Sequence, residues 1–158
     1  MKYTMQTINT SNINEARKQI QEYRRNDKTG KIAVLSQDEE FNRKALEIRG
    51  VNMLIINETL QVRDYSKQRD SSLNESLAKL AAKNHIEIGI QIDEIIFKSD
   101  KEKARSLARL KQNVMLCKKA KAKLIFFSER RNYDALALKS VLQVLAASTE
   151  QSSYASKN

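Results

Sequence analysis

A chain of 158 residues, 41% hydrophobic and 30% charged, has room for one ordinary domain and too much apolar content for wholesale disorder. With 29 Lys+Arg against 19 Asp+Glu the net charge is +10, which disfavours an acidic tail or cation buffer and favours a polyanionic partner, either nucleic acid or an anionic membrane face. No apolar run reaches the ~20 residues of a spanning helix and no secretory pattern opens the chain, so the membrane option is set aside.

The elements read in order as short apolar runs alternating with amphipathic stretches. Residues 3–8 are a strand candidate, and residues 13–23 a helix with Ala16 and Ile20 inward, its end balanced by Arg24 and Arg25. Ile32-Ala33-Val34-Leu35 is a β-type run. Ser36 and Glu39 have the spacing of a capping box for the next helix, with Phe41, Ala45 and Ile48 as its apolar stripe and Gly50 at its C-terminal end. Val51 and Met53-Leu54-Ile55-Ile56 predict a buried strand, followed by a polar loop over residues 57–70. Ser72 and Glu75 form a second box before a helix marked by Leu73, Leu77 and Leu80. Ile86, Ile88, Ile90 and Ile92 alternate as a strand, and Ser99 and Glu102 form a third box before a long helix over residues 100–120. Leu124-Ile125-Phe126-Phe127 is the last strand. Residues 133–147 are the last helix, with Leu136, Val141, Leu142 and Leu145 inward. Strand–helix alternation of this kind predicts an α/β fold with a covered parallel sheet. About five β/α units are too few for an eight-unit barrel, which takes about 200 residues or more. Residues 1–147 form the domain, and the Ser/Gln-rich residues 148–158 read as a disordered tail.

The single Cys117 and single His85 exclude a disulfide framework, a Cys-based zinc finger and a multi-His metal site, which points to a reduced, cytoplasmic setting. The scattered Gly30, Gly50 and Gly89 exclude a P-loop and a dinucleotide fingerprint. Cys117 reads as a core residue, and His85 as a histidine at the N-terminal edge of its strand. Asp93 and Glu94 are adjacent and would face opposite sides of a strand, and neither Glu87 nor Asp93, on that same strand, has an evident partner. No nucleophile–base pair emerges.

On the long helix Ala104, Leu107, Leu110, Val114 and Cys117 share one face, with Lys101, Arg105, Arg109, Gln112 and Lys119 roughly opposite. Leu116 lies on the far side and suggests a partner contact. The basic stripe is either a solvated face or a track for phosphates. Lys118, Lys119, Lys121 and Lys123 continue the charge. Arg63, Lys67 and Arg69, with Tyr65 among them, sit in the 57–70 loop, and Arg130-Arg131 follow the last strand. Both loops leave C-terminal strand ends, where ligands of parallel α/β folds gather.

The segment Asp70-Ser71-Ser72-Leu73-Asn74-Glu75-Ser76-Leu77-Ala78-Lys79-Leu80-Ala81-Ala82-Lys83-Asn84 resembles archaeal ribonuclease P protein component 3, the counterpart of the thirty-kilodalton subunit of the eukaryotic enzyme. The family carries Ser-Gly-Leu-Asn here, a helix ending in Leu-Ala-Lys-x-Asn, and an Ile-rich strand, matched by Ile86-Glu87-Ile88-Gly89-Ile90. The likeness continues through the Arg-rich helix of Lys103 to Lys119 with its Gln112-Asn113 pair and Leu116-Cys117-Lys118-Lys119 ending, and into Arg131, Asp134 and the Leu-rich helix from Leu136. It is looser over Asn42-Arg43-Lys44-Ala45 and Val51-Asn52-Met53-Leu54. Departures are Ser72 in place of Gly, Ser128-Glu129-Arg130 in place of small residues, and Ala146-Ala147 in place of Leu-Gly.

The resemblance implies repeated β/α units like a TIM barrel, related to the polymerase and histidinol phosphatase group and here shortened or incomplete. Enzymes of that group hold metals with several histidines, so one His implies that this chain carries no active site and binds no cofactor itself. In the family the RNA subunit, with Mg²⁺, removes the 5′ leader of precursor tRNA, and the protein binds that RNA and protein component 2. Arg63, Lys67, Arg69, Arg105, Arg109, Lys118, Lys119, Arg130 and Arg131 are then the expected RNA-facing residues. Asn74 and Asn113 match the family in roles that capping or internal hydrogen bonding would equally explain. The competing readings are a scaffolding paralogue that keeps only protein contacts, and a metal-dependent phosphoesterase of the related barrel group.

Overall fold

A computed structural model describes residues 5–57, 70–130, 132–145 and 147–155. Its order is β1 (Met5–Ile8), α1 (Ile13–Asn26), β2 (Lys31–Leu35), α2 (Glu39–Leu46), β3 (Met53–Ile55), α3 (Glu75–Lys83), β4 (Glu87–Gln91), α4 (Asp93–Ile96), α5 (Asp100–Ala120), β5 (Leu124–Phe127), α6 (Ala135–Val144) and α7 (Thr149–Ala155). Among the described residues the five strands form one parallel sheet in the order β1-β2-β3-β4-β5. A strictly consecutive order has no switch point. Crossovers of one hand then place their helices on one face, as in a barrel wall and not as in a doubly wound sheet.

Period-two alternation splits the strand residues between the two faces. Ile8, Ile32, Val34, Leu54, Ile88, Ile90, Leu124 and Phe126 pack against Ala16, Ile20, Phe41, Ala45, Leu77, Ala81, Leu110, Val114, Cys117 and Leu142 in the main core. The opposite face carries a smaller cluster of Ala33, Met53, Ile55 and Ile125, flanked by Met5, Leu35, Phe127 and Tyr154. Gly89 belongs on that inner face because a Cβ there would fall 2.5 Å from the Met53 sulfur and 3.2 Å from the Phe127 ring.

The caps differ from those expected. Asp38, not Ser36, caps α2 by accepting the Phe41 amide at 2.8 Å. Ser36 is buried and its Oγ accepts the Asn57 amide, tying the ends of β2 and β3 together. Asn74, not Ser72, caps α3 through the Leu77 amide, and its own amide donates to Glu39. Only the Ser99 site keeps part of its box: the Ser99 hydroxyl donates to Glu102 Oε2 at 2.8 Å but accepts no helix amide. Matching a box by spacing alone fails where an Asp or Asn closer to the helix caps better.

Ser72 adopts φ 59, the left-handed region that favours glycine. The Asp70 carboxylate accepts the Ser72 amide at 3.3 Å and helps hold the turn. Ser72→Gly is expected to raise the unfolding free energy by about 0.5–1 kcal/mol, read from urea titrations. A lower midpoint in the variant would instead show that the Ser72 side chain contributes to the fold.

Three further expectations change. On α6 only Leu142 is fully buried. Leu138 and Leu145 lean on the core, whereas Leu136, Val141 and Val144 are exposed, Val144 by 84%. Among the described residues the sheet supplies no sixth strand on which that side of α6 could rest. On α5 Ala104 and Leu107 are exposed, and Ser106 and Asn113 take the buried positions. Leu116, read as a far-side residue, packs partly against the core.

The segment after Ser148 is not wholly a disordered tail: residues 149–155 form α7. Gln151 Nε2 donates to the Val114 carbonyl at 3.1 Å, and the Tyr154 hydroxyl donates to Glu87 Oε1 at 2.6 Å. Lys31 lies 3.6 Å from the other Glu87 oxygen, so Glu87 has the partners its sequence position did not reveal. Burial and the Glu87 carboxylate push the Tyr154 hydroxyl up to about 12.

Candidate nucleic-acid interface

Because the sheet is parallel, the segments after β2, β3, β4 and β5 emerge on one rim. α5 starts at this rim and runs back to the opposite one, where β5 begins. At 1.5 Å per residue Arg105 and Lys119 are about 21 Å apart along the helix. The predicted stripe is thus spread over both rims, and its members differ in surroundings.

At the far end Lys119 reaches α3, with Nζ 3.0 Å from Glu75 Oε2, while Lys79 lies 2.8 Å from Oε1. The Lys79 and Lys119 ammonium groups hold the Glu75 carboxyl down at about 2. Lys119 is therefore one side of an interhelical ion pair, and Lys118 beside it is exposed. Gln112 also belongs to the helix interface, since its Nε2 donates to Ser71 Oγ at 3.1 Å. The Ser71 hydroxyl in turn donates to buried Asn113 Oδ1 at 2.6 Å. Asn113 is thus an internal hydrogen-bonding residue and Asn74 a helix cap, which settles the two roles the sequence left open. Arg109 is half-buried, whereas Arg105 near the start of α5 is exposed.

The rim itself is organised by Asp93. This residue opens α4 instead of ending a strand, and it is 1% exposed. Its carboxylate accepts the Ser128 hydroxyl at 2.8 Å, the Glu129 amide at 2.8 Å and the Arg130 amide at 3.3 Å. Burial alone would raise its pKa. The Ser128 hydroxyl, the two amides and the Arg130 charge outweigh burial and hold the carboxyl below its ordinary value. One buried charge thereby pins the segment after β5 to the segment after β4.

This brings Arg130 over Phe97, with its guanidinium carbon 5.0 Å from the ring centroid. Phe97 is 50% exposed and its neighbour Ile96 40%. Lys98 Nζ donates to Ser106 Oγ at 2.8 Å, fastening the end of α4 beside Arg105. The rim therefore sets Arg130 over an exposed aromatic, followed in the chain by Lys98, while Lys101 and Arg105 lie on the first turns of α5. Sequence reasoning singled out Arg130 and Arg105 but missed Phe97, and it named Asp93 without its partners. An aromatic beside a lysine, just before the Ser99 cap, was the available signal. Arg63, Lys67, Arg69, Tyr65 and Arg131 lie outside the described residues.

Among the described residues no group of three or more His, Cys, Asp or Glu side chains could hold a metal ion. Cys117 is buried and desolvation pushes its thiol up to about 12, far from a reactive thiolate. His85 is exposed at the start of β4 with φ 56. No helix among the described residues is long and apolar enough to cross a membrane.

No family model matches the sequence. Over 117 residues the chain is 28% identical to Ribonuclease P protein component 3 of Methanococcus vannielii, a match that covers 74% of this chain and 47% of that protein. The chain thus spans about half the length of this curated relative. A chain of the cryo-EM structure of archaeal Ribonuclease P with mature tRNA has the same fold, with a TM-score of 0.75 at 21% identity over 95% of this chain and 62% of the other. The resemblance read from the sequence is borne out by the relative. The solved structure and the consecutive parallel sheet bear out a partial, TIM-like α/β architecture.

Proposed function

We propose that the chain serves as a non-catalytic, cytoplasmic protein subunit of a ribonuclease P, binding the catalytic RNA and protein component 2 and supporting removal of the 5′ leader from precursor tRNA. The observation that carries this reading is the 117-residue similarity to component 3, laid over a fold like that of a chain in an archaeal ribonuclease P structure. The charge of +10 supports the RNA half of the role: a basic subunit neutralises phosphates where RNA helices crowd together. The exposed apolar side of α6 supports the protein half. Mg²⁺ acts here with the RNA subunit. The phosphoesterase alternative gains nothing from the described residues, which assemble no metal ligand set. Arg130 and Arg105 on the rim are the basic residues best placed to meet RNA, with Arg109, Lys118 and Lys119 along α5. Arg63, Lys67, Arg69 and Arg131 complete the proposed set.

Reconstitution tests this. Precursor-tRNA cleavage is followed at low Mg²⁺ with the cognate RNA and component 2, with and without this chain. The wild-type chain is expected to lower the Mg²⁺ requirement. The Lys101→Gln/Arg105→Gln variant is expected to need more Mg²⁺, with the slope of log affinity against log salt reduced by about 1.4–1.8, the value for two lost phosphate contacts. Stimulation that is the same in wild type and variant would leave the scaffolding reading as the better account. No stimulation by the wild type would refute the subunit role.

A further inference from the structure

Outside the charge pattern, the feature of the rim with the least structural reason is the exposed pair Ile96 and Phe97. They end α4, a four-residue helix, and stand 40% and 50% exposed while their neighbour Ile95 is buried in the core. Removing apolar surface of this size from water is favourable, so its display beside a charged loop calls for an occupant. We propose that the Phe97–Arg130 pair is a stacking platform for an unpaired base of RNA, a specific contact that deepens, and rests on, the subunit role above.

Three observations carry the assignment. The first is geometry. The Arg130 guanidinium lies over the Phe97 ring at 5.0 Å, so a flat cation and an aromatic ring already occupy one stack. Single-stranded RNA is held by just such surfaces, aromatic rings and guanidinium planes on which splayed bases lie. The second is rigidity. Arg130 does not hang on a free loop, because its backbone amide and that of Glu129 donate to Asp93, which is buried and charged. Phe97 is fixed from the other side, its amide donating to the Asp93 carbonyl at 3.2 Å. A single residue therefore sets both halves of the stack, and little ordering remains to be done on binding. The third is charge. Lys98 follows Phe97 directly in the chain and is held to Ser106 at 2.8 Å, and Lys101 and Arg105 are exposed on the first turns of α5. Phosphates flanking a stacked base would meet cations there, whereas an apolar protein segment would leave those charges to be desolvated.

Base stacking and backbone charge separate in an experiment. Binding of the full chain to a fluorescently labelled single-stranded RNA dodecamer is compared with binding to a duplex of the same length, at fixed salt. Phe97→Ala is expected to weaken single-strand binding about ten-fold and leave duplex binding unchanged, whereas Phe97→Trp retains it. In the wild-type chain, photocrosslinking to RNA carrying 4-thiouridine is expected to place the adduct at Phe97 or an adjacent residue, a readout that does not depend on any variant folding. Equal single-strand affinity in wild type and Phe97→Ala, with the crosslink elsewhere, overturns the platform while leaving the subunit role standing. Loss of component 2 binding in Phe97→Ala with RNA binding intact assigns the patch to a protein and also overturns it. A wild-type chain that binds neither RNA overturns both readings together.

Discussion

Replacing Arg24 by methionine is expected to lower the unfolding free energy by about 3 kcal/mol, the largest stability loss we anticipate from a single surface-accessible side chain. By its position Arg24 is an ordinary basic residue in the last turn of α1. In the structure it crosses the bottom of the sheet. One terminal nitrogen donates to the Gly30 carbonyl at 2.6 Å and to the Lys28 carbonyl at 3.3 Å. The other donates to the Gly50 carbonyl at 2.6 Å and to Asn52 Oδ1 at 2.8 Å. That Asn52 oxygen also accepts the Ile32 amide, so the guanidinium closes a network joining α1, the approach to β2 and the approach to β3. Gly50 enters this network with φ 100, a conformation that suits glycine and turns its carbonyl toward Arg24. Hydrogen bonds from a charged donor contribute about 1.5–3 kcal/mol each, and they share one side chain, so the sum is smaller than four times that. For a chain of this size the loss corresponds to a fall in Tm of about 6–12 °C. Arg24→Lys is expected to recover little, because a single ammonium cannot span acceptors on both sides of the fork. Urea and thermal unfolding of the two variants check this; a wild-type Tm in Arg24→Met would reduce Arg24 to the dipole-balancing role its sequence position implies.

Asp93→Ala is the second large effect, with an expected loss of about 2–3 kcal/mol at neutral pH. The substitution removes a charged acceptor shared by one hydroxyl and two amides at a position that is 1% exposed. The same residue gives the effect a pH signature. Its carboxyl is held below its ordinary value in the folded protein. In the unfolded chain it titrates near 3.9. Between those two values the unfolded state binds more protons than the folded one, so stability rises with pH across the interval. The Asp93 contribution is complete above the unfolded value and is lost as pH falls through the folded one. Wild type is therefore expected to lose stability on acidification below about pH 5, and Asp93→Ala to show a shallower decline over that range. Parallel acid limbs in the two proteins would show that Asp93 is not held as the structure indicates. Because Arg130 is placed by the same carboxylate, the variant also separates fold from interface: single-strand RNA affinity should fall even where the protein remains folded.

Much of the candidate interface was legible in residue types but not in residue partners. Arg105 and Lys119 look equivalent on a helical wheel. Packing makes them different, because α3 brings Glu75 against Lys119 while Arg105 stands exposed near the rim. Asp93 looked like an unpartnered strand carboxylate. Its partners are 35 to 37 residues away, on a loop that only strand pairing brings near. Phe97 gave only the weak signal of an aromatic beside a lysine, because its exposure is a property of the surface and not of local periodicity. The exposed side of α6 was misread for the reverse reason. Leu136 and Val141 have core-like spacing, but burial requires a neighbour, and no described strand lies beyond β5 to supply one.

What the sequence determined by itself is local or additive. Five apolar strand runs, the helices between them, the net charge and the ordered segments shared with component 3 are each read from neighbouring residues or simple sums, so they survive without coordinates. The tertiary structure decided everything that depends on contacts distant in sequence. It put the strands of the parallel sheet in consecutive order, gave Asn113 and Arg24 internal roles, and set Asn74 and Asp38 as caps in place of nearby serines. It folded residues 149–155 back so that Tyr154 reaches Glu87. The physical reason is the same throughout: a side chain's propensity is fixed by its own chemistry, but its role is fixed by which unsatisfied group, or which apolar surface, the fold brings within reach.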